Sequence, residues 1–182
     1  MTGAGPPIEI SEIPLADPEG NQTTLGSFAA EPLAVVLVRY FGCLPCQHFL
    51  RDVDRAIEDF PTGSRVIAVG GSSIRQAQWL RDVKEVKIPL LLDPGQEVRS
   101  IAGVGQLTAR QMSKGDGWMN YARAMRHGFR PQVPTADALQ APGIVIFGRD
   151  FSVAWVHRGE MMGDYPTVQD LIGRVEIQAS GG

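Results

Sequence analysis

Cys43 and Cys46 are the only cysteines in this chain of 182 residues, and they stand in the order Gly42-Cys43-Leu44-Pro45-Cys46. Thiol–disulfide exchange needs one thiolate to attack and a second thiol near enough to resolve the mixed disulfide, and this spacing offers both. Val35 to Val38 form an apolar, β-branched run that reads as a buried strand. Behind the thiols, Gln47 to Phe60 place Phe49, Leu50, Val53, Ile57 and Phe60 on one helical face. The order strand, tight turn, thiols, helix sets Cys43 at or near a helix N-terminus, where unpaired N–H groups and the helix dipole favour a thiolate. The first sulfur is expected to face outward at the helix tip, with the second behind it. Pro45 fits a first helical turn, where its missing N–H costs no helical bond. Arg39 can add positive charge beside the thiolate; the alternative is a strand-end arginine paired with a surface carboxylate.

Other chemistries compete for the same residues. Two thiols can pack inertly as small hydrophobes. Zinc could draw on Cys43, Cys46 and His48 with His127 or His157 as a fourth ligand, but a structural zinc site usually carries a second ligand pair at short spacing, and none is present. Haem attachment requires His directly after the second cysteine, where Gln47 stands. Gly103-Val104-Gly105 is too short for a dinucleotide fingerprint and does not follow a strand.

The whole chain sets bounds on these readings. At 43% apolar residues it is long enough for one well-buried domain. Its net charge of −3 gives no reason to expect nucleic acid or an acidic membrane surface as partner. No run approaches the ~18 apolar residues of a membrane span, and Met1 to Pro7 lack the basic and apolar regions of a signal peptide. A cytoplasmic protein is expected, in which paired cysteines are more often catalytic, redox-active or metal-binding than a structural staple. The sequence permits a homodimer.

The elements that must position the thiols follow from pattern and punctuation. Residues 1–12, rich in Gly and Pro at the start, are expected to be a flexible segment, and 13–178 a single domain. Pro14 to Leu25 read as two short extended pieces with a bend at Gly20-Asn21. Arg65 to Gly70 form a second buried strand. Ser72 or Ser73 caps a helix to about Val83 with Ile74, Ala77, Leu80 and Val83 turned inward. Pro89 to Pro94 give a short strand and turn, and Glu97 to Ala102 a short helix. Strands alternating with helices argue for a largely parallel sheet covered on both faces. The rhythm breaks over about 106–131, an insertion with five basic residues (Arg110, Lys114, Arg123, Arg126, Arg130) against Asp116, and a helix expected over Gly117 to His127. That insertion reads as a lid or substrate loop, or as a solvated basic helix. Order resumes with the strand Ala141 to Phe147, a turn at Gly148-Arg149-Asp150, a partner strand Phe151 to His157, and a helix capped by Thr167 with Val168, Leu171, Ile172 and Val175 on one stripe. Arg149 belongs to the turn.

This order, with C-x-x-C after an early strand and Pro142 before a hairpin, resembles the thioredoxin fold. The opening Pro14 to Phe28, with its Asp-Pro-Glu-Gly turn, is similar to the AhpC/TSA branch, the peroxiredoxins and their relatives. Within it, Arg39 with Gly42-Cys43-Leu44-Pro45-Cys46, then Gln140-Ala141-Pro142-Gly143, and Val156-His157-Arg158 through Gly163-Asp164-Tyr165-Pro166 resemble the peroxiredoxin-like family of AhpC/TSA antioxidant-enzyme-domain and selenoprotein U type. The resemblance spans roughly residues 8–176. It implies an α/β fold: a central mixed sheet flanked by helices, the insertion preceding the C-terminal β-hairpin. It implies a cis Pro142 packed beside the dithiol; the alternative, which spacing alone does not separate from it, is an ordinary strand-initiating proline. His157, Arg158 and Asp164 match the family and secure the last helix on the plainer reading.

One departure bears on the chemistry. Counting back from Cys46, Arg39 and Cys43 occupy the places where typical peroxiredoxins carry Pro and Thr, which tilts the expectation from peroxide scavenging toward dithiol exchange. By thioredoxin analogy Cys43 attacks and Cys46 resolves; by peroxiredoxin analogy Cys46 takes the peroxidatic place. The first is preferred. The expected protein is a thiol–disulfide oxidoreductase acting on disulfides or hydroperoxides, with no organic cofactor or metal, reset by an external thiol such as thioredoxin or glutathione. Two alternatives stand beside it: a reductase of a bulky peroxide or endoperoxide, with Trp118 and Tyr121 lining the pocket, and a redox-sensing module whose dithiol switches an interface on the insertion.

Overall fold

The computed structural model describes residues 9–71 and 73–181. Most of the N-terminal segment 1–12, and the alternative cap Ser72, lie outside them. The chain opens with the antiparallel pair β1 (Pro14–Ala16) and β2 (Gln22–Thr24), joined through Gly20 at φ +86°, a left-handed turn position that suits glycine. β3 (Leu33–Leu37) leads to helix α1 (Leu44–Arg55), β4 (Arg65–Gly70), helix α2 (Ile74–Lys84) and β5 (Leu90–Leu92). Three helices follow: α3 (Glu97–Ile101), α4 (Ala109–Met112) and α5 (Gly115–Arg126). The hairpin β6 (Gly143–Phe147) and β7 (Val153–Arg158) and helix α6 (Val168–Ser180) complete the chain.

Among the described residues the strands form one sheet in the order β2-β1-β5-β4-β3-β6-β7. β3 lies at its heart, parallel to β4 and antiparallel to β6, with every residue of β3 and β6 buried. A strand enclosed on both faces and both edges needs apolar side chains throughout, which is what Leu33-Ala34-Val35-Val36-Leu37 supplies. The sheet is mixed rather than largely parallel. The β3–β4–β5 run is parallel, while the opening pair and the hairpin add antiparallel strands at both flanks, since tight turns can join only antiparallel neighbours.

Helix packing corrects the expected stripes. α1 ends at Arg55; a 3-10 turn over Ile57–Asp59 follows, and Pro61 bars helix at Phe60, so Ile57 is partly exposed while Phe60 is buried. α2 is capped by Ser73 and buries Gln76, Ala77 and Leu80, leaving Ile74 and Val83 outside. Its rotation is set by Gln76, whose Oε1 accepts the Gly42 N–H at 3.0 Å. Phe151 sits in the hairpin turn at φ +58°, so β7 starts two residues later than expected.

The helical face of α1 predicts an asymmetry in stability. Leu50, fully buried, loses about 2–5 kcal/mol as Leu50→Ala. Ile177, 60% exposed on α6, stays within about 0.5 kcal/mol as Ile177→Ala. Urea unfolding checks this, and equal losses contradict the packing.

Candidate active site

The backbone after β3 turns tightly, with Cys43 N–H bonded to Tyr40 O at 3.0 Å, and Cys43 becomes the N-cap of α1. Gln47 Nε2 holds Phe41 O at 3.0 Å, and Gln76 passes from the Gly42 N–H to Val133 O, its Nε2 at 2.9 Å. Two glutamines therefore fix the turn that presents the thiols. A Cβ at Gly42 would lie 2.6 Å from Gln76 Nε2, so the close approach demands glycine.

Both cysteines are free and fully buried. This corrects the expectation of an outward-facing Cys43. The cause is the insertion: Leu44 of α1 packs with Ala124 of α5 and Phe129 in a small apolar cluster, with Tyr121 against it. Tyr121 Oη then lies 3.9 Å from Cys43 Sγ. At its base the insertion is closed by Leu107 N–H to Leu139 O at 2.7 Å and Ala141 N–H to Gly105 O at 2.9 Å. Lys84 Nζ to Gly128 O (3.0 Å) and Asn120 Nδ2 to Met162 O (3.0 Å) fasten its far side.

Arg39, 2% exposed, is the charged group at the site. Its Nη1 lies 3.9 Å from Cys43 Sγ and 3.3 Å from Tyr121 Oη, its Nε donates to Gln140 O at 3.1 Å, and its Nη2 reaches Ala138 O and Met112 Sδ. Among the described residues it forms no salt bridge with a carboxylate, unlike the surface pairing considered for it. Arg99, also buried, donates to Val38 O at 2.7 Å and to Ala141 O. The 138–141 backbone thus spends its carbonyls on two arginines.

Tyr165 completes the site from the other side. Its ring stacks on Phe49 with centroids 4.3 Å apart, and its hydroxyl hydrogen bonds Leu37 O at 3.2 Å and lies within bonding reach of Cys46. Burial opposes ionisation of both thiols. For Cys46 it is outweighed by hydrogen bonds from the Cys43 thiol and Tyr165 and by the Arg39 charge, which bring it down to about 7. Cys43 is pushed well up, by burial first and then by donating its proton toward Cys46. In this coupled pair Cys46 is the thiol that ionises first, with the Cys43 proton directed at it.

The other expected residues divide. Arg39 and Tyr121 meet the dithiol. Pro142 is buried, but its contact is with Gly159, whose N–H it accepts at 2.8 Å. Its peptide bond is trans, which corrects the expected cis geometry: the extended backbone carries the Ala141 and Gln140 carbonyls to Arg99 and Arg39, and the cis bond among the described residues is Glu31–Pro32. Trp118 is 60% exposed on the outer face of α5, with its ring 5.8 Å from that of Tyr121, and does not reach the thiols. His48 stacks on His127 at 4.5 Å, and His157 bonds Asp164 O at 2.8 Å. Among the described residues no three His, Cys, Asp or Glu side chains gather to hold a metal ion. Arg149 pairs with Glu31 at the surface, as a turn residue would. Sequence reading missed Arg99, which no local pattern distinguishes from a solvated helix arginine. It missed the contact of Tyr165, although the Gly-Asp-Tyr-Pro run had singled out that segment.

A dithiol in which a helix N-terminus, a buried guanidinium and a tyrosine stabilise one thiolate, set on a thioredoxin-like sheet, defines a thiol-dependent oxidoreductase. The sequence model of the AhpC/TSA antioxidant enzyme family matches residues 50–161, more than half of the chain, and the chain belongs to that family. It is an oxidoreductase of peroxiredoxin-like type. The match begins four residues beyond Cys46, so the geometry described above, rather than the family match, places the thiols. No curated protein sequence matches the chain. Among solved structures the fold is similar to that of the Xanthomonas campestris bacterioferritin comigratory protein, described for its alkyl peroxide reduction activity, with 12% identity, TM-score 0.67, and 95% of this chain and 96% of that chain covered. It is similar also to a variant of PrxQ from Xylella fastidiosa (9% identity, TM-score 0.68, 97% and 96% covered) and to MTB dsbF (17%, 0.56, 94% and 98%). Among the described residues no helix is long and apolar enough to cross a membrane.

The anion-stabilising groups set a pH dependence. In the wild type the alkylation rate of Cys46 rises with a midpoint at about pH 7. Tyr165→Phe removes a donor to the thiolate and Arg39→Met a cation, so both move that midpoint upward and slow alkylation at neutral pH, Arg39→Met more than Tyr165→Phe. Midpoints that stay in place in both variants contradict the assignment.

Proposed function

We propose that Cys46 is the attacking thiolate and Cys43 the resolving thiol, the reverse of the order preferred from sequence. The observation that carries this reading is the contrast between the two thiols. The Cys43 thiol, the Arg39 charge and Tyr165 bring Cys46 down to about 7. Cys43, with Arg39 Nη1 and Tyr121 Oη each 3.9 Å from its sulfur, is pushed up by burial and by its bond toward Cys46. The thiolate displaces an alkoxide or hydroxide from a hydroperoxide, giving a sulfenic acid; Cys43 attacks that sulfur, water leaves, and a Cys43–Cys46 disulfide remains. Arg39 and Tyr121 supply N–H and O–H donors beside the Cys43 sulfur for the departing oxygen. Two external thiols, from glutathione or a thioredoxin-like protein, then restore the dithiol and leave as a disulfide. A small disulfide can replace the peroxide in the first step.

Full burial of both sulfurs supports small oxidants over large ones: a folded protein's disulfide cannot reach either thiol of the reduced dithiol as it stands. The bulky-endoperoxide reading relied on Trp118, Tyr121 and the basic insertion as pocket walls; the exposure of Trp118 withdraws its part, while Tyr121 stands at Cys43. The sensor reading retains one supporting feature, the exposed Trp118, Met119 and Met125 on the lid. Residues 13–178 act as one domain, cytoplasmic, with no cofactor beyond the external thiol and no metal, and a homodimer is compatible with the cycle.

The experiment is turnover of small hydroperoxides with excess thiol in Cys46→Ser and Cys43→Ser. Cys46→Ser loses activity by orders of magnitude, as loss of a nucleophile does. Cys43→Ser consumes about one equivalent of peroxide and then stops, or runs slowly through a mixed disulfide. Activity retained in Cys46→Ser and lost in Cys43→Ser restores the sequence-based order. No turnover in the wild type leaves the sensor.

A further inference from the structure

The lid covers the dithiol from the Cys43 side; beside Pro45 a groove of about 310 Å³ lies between α1, α5 and the loop ahead of α6. Pro45, from between the two cysteines, and Tyr165, which meets the Cys46 sulfur, both line it. The loop comes so near α1 at Gly163 (φ +73°) that a Cβ there would lie 2.5 Å from Pro45 Cβ and 3.0 Å from Asn120 Cβ. The groove therefore ends against the redox turn.

Its walls are charged in a way a peroxide does not need. On the α5 wall stands Arg123, exposed, its Nη1 3.5 Å from Asn120 Oδ1 and in no salt bridge among the described residues. On the α1 wall stands Asp52, paired with His48 at 3.5 Å. A cation on one wall and an anion on the other, across a space at the lower limit of about 300 Å³ for small-molecule sites, suit a compact zwitterion. A hydrocarbon oxidant would leave Arg123 without a carboxylate partner. A protein cannot enter a space of that size.

We infer that this groove binds the resetting thiol, and that the thiol is a small molecule carrying both carboxylate and ammonium groups. The inference rests on the dithiol cycle proposed above. The carboxylate lies at Arg123, the ammonium at Asp52, and the sulfur points past Pro45. The Tyr165 hydroxyl donates to Leu37 O at 3.2 Å and lines the approach rather than being fixed on the sulfur. The incoming thiolate bonds to Cys46 Sγ, the S–S bond breaks, and Cys43 leaves as a thiolate beside Arg39 and takes up a proton. A second thiolate attacks the bound molecule's sulfur, the small disulfide departs, and Cys46 is released as a thiolate. The sum is one protein disulfide and two thiols giving one dithiol and one small disulfide.

The test oxidises the full chain with one equivalent of hydrogen peroxide and follows reduction of its disulfide by glutathione and by glutathione dimethyl ester at equal thiolate concentration. The expected result is a rate that saturates with glutathione and exceeds the ester rate by about fivefold, the order of one exposed ion pair. In Arg123→Glu, checked for fold by circular dichroism, the ratio of the two rates falls toward one. A linear dependence on glutathione with equal rates for acid and ester overturns the inference while leaving the dithiol cycle standing, and needs no variant to fold. Failure of the peroxide to produce a Cys43–Cys46 disulfide overturns the cycle and the inference together.

Discussion

A buried guanidinium must find negative charge, and among the described residues Arg39 finds no carboxylate. It is enclosed by the carbonyls of Ala138 and Gln140, the Tyr121 hydroxyl, the Met112 sulfur and the Cys43 thiol. Carbonyls satisfy its N–H groups but leave its charge uncompensated in a medium of low polarity, where an unpaired ion costs several kcal/mol. Of the ionisable groups around it, burial holds the Tyr121 hydroxyl protonated, so the dithiol is the one that can become an anion near neutral pH, with the Cys43 thiol bonded to Cys46. Folding and reactivity are therefore linked at one residue: the cation that is costly to bury also makes the thiolate.

The rest of the structure supports that arrangement. The fully buried β3 delivers Arg39 and the redox turn to the C-terminal edge of the sheet, where α/β folds place their chemistry. Antiparallel pairing of β6 to β3 brings the 138–141 backbone across to receive both Arg39 and Arg99. The insertion closes from above and excludes water, which strengthens every charge interaction beneath it. The same closure limits access, so substrate size and chemistry are decided by the lid and by the groove beside Tyr165.

Much of this was legible in the sequence because it depends on local pattern. The β4 limits, the Ser73 and Thr167 caps, the α6 stripe and the bend at Gly20 all follow from residue type and period, and the structure has them. What escaped was decided by contacts between distant segments. The rotation of α2 follows from Gln76 reaching Gly42, 34 residues away in sequence. The burial of Cys43 follows from Tyr121, 78 residues on. The pairing of Cys46 with Tyr165 and the burial of Arg99 are invisible to periodicity for the same reason. Arg39 and Tyr121 were singled out by charge and bulk, and the structure brings both to the thiols; Trp118, chosen on the same grounds, faces solvent because the helix period turns it about 120° round α5 from the buried Ala124.

The central claim is that the reduced protein carries one thiolate, held by Arg39, at neutral pH. Ultraviolet absorbance of thiolates, followed through a pH titration of the reduced wild type, measures it most directly. The account predicts a single step with a midpoint at about pH 7, amounting to one thiolate per chain, with the second thiol still protonated well above it. Absorbance that stays flat through neutrality and rises only at the ordinary cysteine value of about 8.5 contradicts it.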